Sequence, residues 1–363
     1  MSGTPRKWIA RTYREGDEEG ILELWKAVYP DRRYVPQDWL AWWRWMYRDN
    51  PAGMGVIALA DHDGKIIAHT AEIPMMMKIG DADVLAAIGL DAMTHPDYRR
   101  QGTYAATVEL RRQESQKRGI RAEYAFRSKF SYAYPGLSGK VGMFDAATLP
   151  KVFRPLDWRA TLATQTGNKL VMALGPAAGR LLTAVVLRPA GTRLPEGMTL
   201  SQADRFDDRF DQLWARVSGR YRAALSRKKE YLNWRYVAVP DRHYTILASG
   251  RPDAISGYVV FSCADADGTI TGLIAEVVAE SQPVAEHLIA AAVQRCREGK
   301  AALVWGARLA DTPLAAAYKR QGFIAAPRSK TKLVTACAFS PELDAELRKP
   351  DAWFLQMGDS DEA

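Results

Sequence analysis

The stretch MTHPDYRRQGTYAATVELRR, residues 93–112, places two arginines and a glutamine directly before a glycine and then continues in a helical pattern. The residues before Gly102 are Arg99, Arg100 and Gln101. The first N–H groups of a helix lack partners within the helix, and the helix dipole adds partial positive charge there. A glycine lets the backbone approach an anion closely, and arginine offers forked donors to phosphate oxygens. The stretch therefore indicates either a phosphate cradle or a solvated basic turn.

Length and charge bound the class of protein. The chain has 363 residues, which is long for a single core and favours two domains. It carries 50 basic and 42 acidic residues, a formal net charge of +8. This surplus suits anionic partners such as phosphorylated cofactors, nucleic acid or acidic lipid, or a solvated basic surface.

Cysteines, histidines and apolar runs indicate the compartment. The 3 cysteines show no CxxC spacing, which argues against a disulfide framework and for a reducing compartment. The 5 histidines form no HxxxH pattern, so we predict no metal site. The longest apolar stretch, residues 170–187, contains Pro176 and Arg180. We therefore predict a cytoplasmic protein without a secretory signal or transmembrane segment, with membrane-surface association left open.

The chain contains an internal repeat. Four short matches recur in one order, at offsets that shrink from 189 to 180 residues: Leu24-Trp25 with Leu213-Trp214, the W-x-Y-x-x-x-P of 45–51 with 234–240, Gly89-Leu90 with Gly272-Leu273, and Gly142-Met143 with Gly322-Phe323. Such order indicates a tandem duplication with small deletions in the second copy.

Local patterns predict the elements of the first copy. Helices are expected at 17–28, 37–48, 103–118 and 133–140, and strands at 55–61, 65–79, 84–94, 121–126 and from Met143. Asp63-Gly64 between two apolar runs favours a hairpin turn. The order predicts a mixed α/β fold with antiparallel and parallel pairing. We divide the chain into domains 1–150 and 196–345, a helical linker 151–195 and an acidic tail 346–363, whose end, GDSDEA, we expect to be disordered.

Two motifs resemble the GNAT superfamily of N-acetyltransferases. Residues 92–110 resemble its motif A, a strand followed by R/Q-x-x-G-x-G/A, although Tyr104 stands where the family often has glycine or alanine. Residues 131–143, SYAYPGLSGKVGM, resemble its closing helix and strand, and residues 314–323, LAAAYKRQGF, carry the commoner form. The resemblance implies two tandem GNAT-like domains, each a twisted mixed sheet flanked by helices. In the second copy Pro283 replaces the basic glycine turn, which implies that only the first domain binds acyl-CoA.

The resemblance also assigns roles to residues. Acyl-CoA is expected to contact the following set: Met93, Thr94, Arg99, Arg100, Gln101, Gly102, Thr103, Tyr104 and Tyr132. A backbone N–H near Met93 or Thr94 would bind the thioester oxygen. Ser138 occupies the family's usual tyrosine position and is a poor acid, so Tyr134 is the candidate proton donor, with Tyr132 in reserve. Packing of either aromatic ring in the core is the alternative.

Two strand carboxylates and a tryptophan-rich helix supply the remaining candidate site residues. Glu72 and Asp91 are candidate general bases, with a solvated or salt-bridged surface role or a water chain as alternatives. In DWLAWWRWMY, residues 38–47, we expect the tryptophans to pack in the core, although Trp39 or Trp43 could line an acceptor pocket.

The expected function is an acetyl-CoA-dependent N-acyltransferase acting on a small primary amine. An amino sugar is one acceptor that the resemblance suggests. One alternative is an aminoacyl-tRNA-dependent transferase of the Fem type, which the basic charge suits and the retained turn disfavours. Another is a tandem binding protein without activity. Nucleic acid is otherwise not expected as a partner, and the oligomeric state is undetermined.

Overall fold

The protein is described here by a computed structural model. It describes residues 8–30, 38–127, 142–165, 197–266, 268–307, 312–327, 331–349 and 351–360, with a few positions between 175 and 181. The α-helices are α1 (Glu18–Val28), α2 (Trp39–Tyr47), α3 (Thr103–Lys117), α4 (Trp158–Gln165), α5 (Asp208–Val217), α6 (Lys229–Tyr236), α7 (Gln282–Glu298), α8 (Pro313–Arg320) and α9 (Pro341–Leu347).

The strands belong to two mixed sheets. In chain order they are β1 (Ile9–Thr12), β2 (Val56–His62), β3 (Lys65–Ile79), β4 (Ala82–Thr94), β5 (Ala122–Phe126), β6 (Phe144–Leu149), β7 (Lys151–Pro155), β8 (Thr199–Ala203), β9 (Ala223–Leu225), β10 (Thr245–Gly250), β11 (Ile255–Ala266), β12 (Thr269–Ala279), β13 (Leu303–Ala307), β14 (Ile324–Ala325), β15 (Lys332–Ala338) and β16 (Trp353–Phe354). The mixed α/β fold predicted from the sequence is confirmed.

The chain divides into two compact units. The first comprises residues 1–147, 238–242 and 334–352, and the second 148–237, 243–333 and 353–363. The domain bounds set out above remain a prediction, and these units differ from them in assigning 334–352 to the first unit and the predicted linker 151–195 to the second.

The sheet of the first unit has the strand order β1-β2-β3-β4-β5-β15-β6. Strands β1 to β4 pair antiparallel, β4 and β5 pair parallel, and β15 pairs antiparallel with β5. The predicted turn at Asp63-Gly64 joins β2 to β3 with φ of 52° and 87°, the left-handed conformation that such hairpins require. Strand β3 is buried along most of its length, which makes it a central strand of this unit.

The sheet of the second unit repeats the same order. It runs β8-β10-β11-β12-β13-β7-β14, with the parallel pair again in the middle, between β12 and β13. The slot that β15 fills in the first sheet is filled here by β7. In both sheets the strand next to the parallel pair, β15 or β7, lies far along the sequence from its neighbours, and the two slots correspond.

Amphipathic helices cover these sheets. Helix α1 buries Ile21 and Leu24 and begins with two glutamates that suit the positive end of the helix dipole. The Asp38 side chain caps α2 by accepting from the Ala41 N–H at 2.8 Å. Of the four α2 tryptophans, Trp43 and Trp45 are 1% and 4% exposed and pack in the core as predicted, whereas Trp39 and Trp42 are half-buried.

The prediction of a disordered acidic end is wrong for Gly358, Asp359 and Ser360. These residues are buried, and the Asp359 carboxylate accepts two hydrogen bonds of 2.7 Å from Arg227. A polar segment becomes ordered here because a buried cation from far along the chain requires its charge. Residues 361–363 of the tail, and the predicted helix 133–140, lie outside the described residues.

Candidate functional site

The turn before α3 has an open, left-handed backbone. Gly102 is the N-cap of α3 with φ of 81°, and the residue before Gln101, Arg100, has φ of 64°. No side chain caps the helix, and a Cβ built at Gly102 would meet no atom within 4 Å. Arg99, Arg100, Gln101 and Gly102 are all exposed. The start of α3 therefore presents N–H groups and two guanidinium groups to open space, the arrangement that binds phosphate oxygens.

Strands β4 and β5 separate in front of this turn. Their parallel pairing joins Ala86–Ile88 to Ala122–Tyr124. Beyond it, β4 continues to Thr94 and pairs with β3. Among the described residues, this last part of β4 has no strand on its β5 side, so an extended ligand can hydrogen-bond there.

A β-bulge lies within this last part of β4, where it pairs with β3. His69 pairs with Met93 and Ala71 pairs with Leu90, so Asp91 and Ala92 together oppose Thr70. Asp91 has φ of 47°, a strained value for a residue other than glycine. Such strain persists where the surroundings hold the backbone in place, and here Tyr47 and His69 do so.

Tyr47 and His69 fix Asp91 from both sides. The Tyr47 hydroxyl donates to the Asp91 carboxylate at 2.6 Å, and His69 Nδ1 lies 2.7 Å from the Asp91 carbonyl oxygen. Because a carbonyl can only accept, Nδ1 carries the proton. Burial lowers the pKa of His69, although Asp91 opposes the shift. The imidazole is thus neutral, with its tautomer set by the bulge.

Sequence reasoning did not identify Tyr47 or His69 as parts of this site. The W-x-Y repeat contained a signal for Tyr47, because it showed that this tyrosine recurs as Tyr236. In the structure Tyr236 also donates to a carboxylate, that of Glu276, at 2.6 Å. His69 carries no comparable sequence signal, because it lies in a long apolar strand.

Glu72 lies away from Asp91, beneath α3. It is 0% exposed, with Arg111 Nε 3.2 Å from its carboxylate, and it also accepts from the Ser115 hydroxyl. Arg111 and Arg112 also pair with Glu123 on β5. Burial raises the pKa of Glu72 to about 7, against the opposing effect of Arg111. The structure therefore does not bring the two candidate bases together.

The remaining predicted site residues divide into three groups. Met93 and Thr103 are buried, and Thr94 is half-buried at the end of β4. Tyr104 is half-buried on the first turn of α3, and burial raises its pKa. Tyr132, Tyr134 and Ser138 lie outside the described residues.

The corresponding place in the second unit is filled by the chain itself. Strand β12 pairs with β13 over Thr271–Leu273 and then continues past a bulge of its own. There, the Val277 N–H donates to the Gln356 side-chain oxygen at 2.7 Å, and the Gln356 amide donates back to the Val277 carbonyl at 3.0 Å. In the repeat, Val277 corresponds to Thr94. A glutamine side chain thus occupies backbone groups whose counterparts in the first unit face the open side of β4.

Comparison with known proteins finds one family similar to most of the first unit. A model of the GNAT acetyltransferase domain matches residues 10–134, about a third of the chain. These residues are therefore similar to a GNAT acetyltransferase domain. None of the curated proteins matches the sequence significantly.

Solved structures share the fold over most of the chain. A GCN5-related N-acetyltransferase from Anabaena variabilis has a TM-score of 0.64 at 13% identity, covering 92% of this chain and 73% of its own. The N-myristoyltransferase of Saccharomyces cerevisiae with bound myristoyl-CoA and inhibitors has a TM-score of 0.62 at 11% identity, covering 98% and 88%. Eis1 from Mycobacterium abscessus has a TM-score of 0.55 at 14% identity, covering 93% and 74%. At these identities the likeness concerns the fold, and it confirms the GNAT architecture predicted from the sequence.

Two further features of the described residues concern membranes and metals. None of their helices combines the length and apolar character needed to span a bilayer. No group of three or more histidine, cysteine or carboxylate side chains among them is arranged to hold a metal ion.

Proposed function

We propose that the protein is an N-acyltransferase that uses acetyl-CoA and transfers its acyl group directly to a small primary amine in a ternary complex. The observation that carries this proposal is the combination, in the first unit, of an open helix start at Gly102 with an unpaired stretch of β4 directly before it. A helix start supplies N–H groups for pyrophosphate, and an unpaired strand supplies amide partners for an extended pantetheine chain.

The chemistry follows from these positions. The amine nitrogen attacks the thioester carbonyl carbon, and the oxygen that becomes negative is stabilised by a backbone N–H near Met93 or Thr94. The carbon–sulfur bond then breaks, and the leaving thiolate takes a proton, a role that we assign to Tyr134 as a prediction. Removal of one oxyanion donor typically costs about 3–4 kcal/mol of transition-state stabilisation.

Asp91 is the better candidate base of the two carboxylates. It lies in the bulge of β4 beside the unpaired stretch, and Tyr47 holds its carboxylate. Glu72 is fully buried and paired with Arg111 beneath α3, so an amine cannot reach it without opening the core. We therefore propose that Asp91 accepts the amine proton, directly or through a water, and that Glu72 has a structural role.

Thermal melting with acetyl-CoA tests the cofactor site. The wild type is expected to melt at a higher temperature as acetyl-CoA is added, because a ligand that binds the folded state stabilises it. The double variant Arg99→Ala plus Gly102→Glu is expected to lose that shift, since it removes a donor and places a carboxylate at the cradle. No shift for the wild type at millimolar acetyl-CoA would contradict the proposal.

The chain offers a matched control for this experiment. Ser281 is the exposed N-cap of α7, the helix that corresponds to α3 in the second unit. Ser281→Glu adds the same charge at an equivalent helix start and is expected to keep the full acetyl-CoA shift. A loss of the shift in this variant would mean that the second unit also contributes to binding.

Acyl-chain length and acceptor need separate assays. Because one structure of similar fold holds myristoyl-CoA, acetyl-CoA and myristoyl-CoA are compared as donors, and release of CoA thiol is measured over a panel of amines that includes amino sugars. We expect acetyl-CoA to be the better donor. The tRNA-dependent alternative predicts salt-sensitive binding of tRNA and no thiol release, and the binding-protein alternative predicts an acetyl-CoA shift without turnover.

A further inference from the structure

Two cysteines of the second unit lie in direct contact. Cys263 on β11 and Cys296 on α7 have their sulfur atoms 3.0 Å apart and hydrogen-bonded. A disulfide bond is about 2.05 Å long, so the two sulfurs need to approach by about 1 Å to become bonded. The two thiols are free as the structure stands.

A glycine on the neighbouring strand makes this contact possible. Gly272 of β12 lies directly opposite Cys263, so the two positions share a face of the sheet. A Cβ built at Gly272 would lie 2.7 Å from Cys296 Sγ. Any side chain at Gly272 would therefore displace Cys296, and its absence lets the last turn of α7 rest on the sheet beside Cys263.

The two thiols differ in access and in acidity. Cys263 is exposed, whereas Cys296 is 0% exposed within the core beneath α7. Hydrogen bonding to Cys296 lowers the pKa of Cys263, and the same contact together with burial raises the pKa of Cys296. An exposed thiol that ionises more readily, backed by a buried partner, is the arrangement of an attacking and a resolving cysteine.

We propose that Cys263 and Cys296 form a reversible disulfide when the protein meets a small-molecule disulfide such as oxidised glutathione. The Cys263 thiolate attacks one sulfur of that reagent, whose S–S bond breaks and releases one thiol. Cys296 then loses its proton to solvent and attacks Cys263 Sγ, which forms the protein disulfide and expels the second thiol. Two protein thiols are oxidised, and one external disulfide is reduced to two thiols.

The bond would tether the end of α7 to β11. The link closes a loop that contains all of β12 and most of α7, so it removes freedom chiefly from the unfolded chain. We expect oxidation to raise the melting temperature of the wild type by roughly 5–10 °C. This inference does not depend on the acyltransferase activity. Both residues lie in the second unit, and neither the melting temperature nor the linked peptide measures acyl transfer.

Mass spectrometry after exposure to oxidised glutathione tests the proposal. Arg295 and Arg297 flank Cys296, so trypsin separates the two cysteines unless a disulfide joins them. In the wild type we expect a linked Cys263–Cys296 peptide that disappears with dithiothreitol. In Cys296→Ala we expect a persistent glutathione adduct on Cys263, and in Cys263→Ala neither a link nor an adduct.

Cys337 supplies the internal control. It is 6% exposed in the first unit, and burial raises its pKa to about 12, so it is expected to stay unmodified in every variant. Three free thiols in the wild type after oxidation, or a stable adduct on Cys263 with no link to Cys296, would overturn the proposal.

Discussion

The two units use one scaffold and treat the gap beside the parallel strand pair in opposite ways. In the first unit, β4 runs past β5 with no described strand on that side, and an exposed glycine turn precedes the next helix. In the second, β12 runs past β13 and its backbone is bonded to Gln356, while α7 begins with Ser281 and a proline instead of that turn. The repeat thus contains one gap suited to a ligand and one filled by the chain.

The comparison also concerns charge. In each unit a repeat-related tyrosine donates to a carboxylate: Tyr47 to Asp91, which lies in the bulge, and Tyr236 to Glu276, which lies beside one. Asp91 is half-buried, whereas Glu276 is 0% exposed and paired with the equally buried Arg227. A tyrosine thus bonds a half-buried carboxylate in one unit and a member of a buried ion pair in the other, although Glu276 corresponds to Met93 in the repeat and not to Asp91.

The largest effect is expected from removing the carboxylate that Arg227 shares with the C-terminal segment. Asp359→Ala leaves that fully buried guanidinium with Glu276 as its remaining carboxylate. Breaking a buried ion pair costs about 3–5 kcal/mol, so the free energy of unfolding should fall by about that amount in urea denaturation. Asp351→Ala, an exposed change in the same segment, is the control. Equal stability of the two variants would contradict a stabilising buried ion pair between Asp359 and Arg227.

This segment shows where sequence reasoning stops. The repeat, the turn at Gly102 and the element order follow from local patterns, because spacing and glycine chemistry act over a few residues. The exchange of β7 and β15 between the two sheets could not be predicted in this way. The local pattern of each strand is the same whichever sheet it joins. The burial of Asp359 depends on its ion pair with Arg227, which lies 132 residues earlier. Likewise the bulge at Asp91 depends on pairing with β3.

A second expected effect concerns pH and the first unit. Burial raises the pKa of Glu72 to about 7 from 4.5. Between these values the folded state keeps a proton that the unfolded state has lost, so the stability that Glu72 contributes falls as pH rises through this window and is level above it. The total change is about 3 kcal/mol.

Urea denaturation at pH 5 and pH 7.5 measures this effect. Glu72→Gln cannot ionise, so its stability relative to the wild type should improve on going from pH 5 to pH 7.5. Glu109→Gln, on the exposed face of α3, should track the wild type at both values. A constant difference between Glu72→Gln and the wild type would contradict a buried carboxyl that holds its proton.

The paired tyrosines sharpen the comparison at the level of single hydroxyl groups. Tyr47→Phe removes the donor that positions Asp91, so we expect kcat for acyl transfer to fall about tenfold with little change in KM for acetyl-CoA. Tyr236→Phe removes a donor to the buried Glu276, so it should lower the free energy of unfolding by about 1.5–3 kcal/mol and leave kcat unchanged. Steady-state kinetics of both variants measures kcat and KM, and urea denaturation measures the free energy of unfolding. Equal effects on kcat would contradict the assignment of catalysis to the first unit.

The smallest expected effect comes from removing one charge of the turn while its backbone is left unchanged. Arg99 is exposed and lies before the open start of α3, so one guanidinium there adds about 1 kcal/mol to the binding of a pyrophosphate group. Arg99→Ala should therefore weaken acetyl-CoA binding about fivefold in calorimetry at low salt, and by less at high salt because the interaction is screened. Arg251→Ala, which removes an equally exposed arginine from the second unit, should bind like the wild type. A fivefold loss in Arg251→Ala as well would show that net charge, and not the placement of Arg99 beside Gly102, attracts the cofactor.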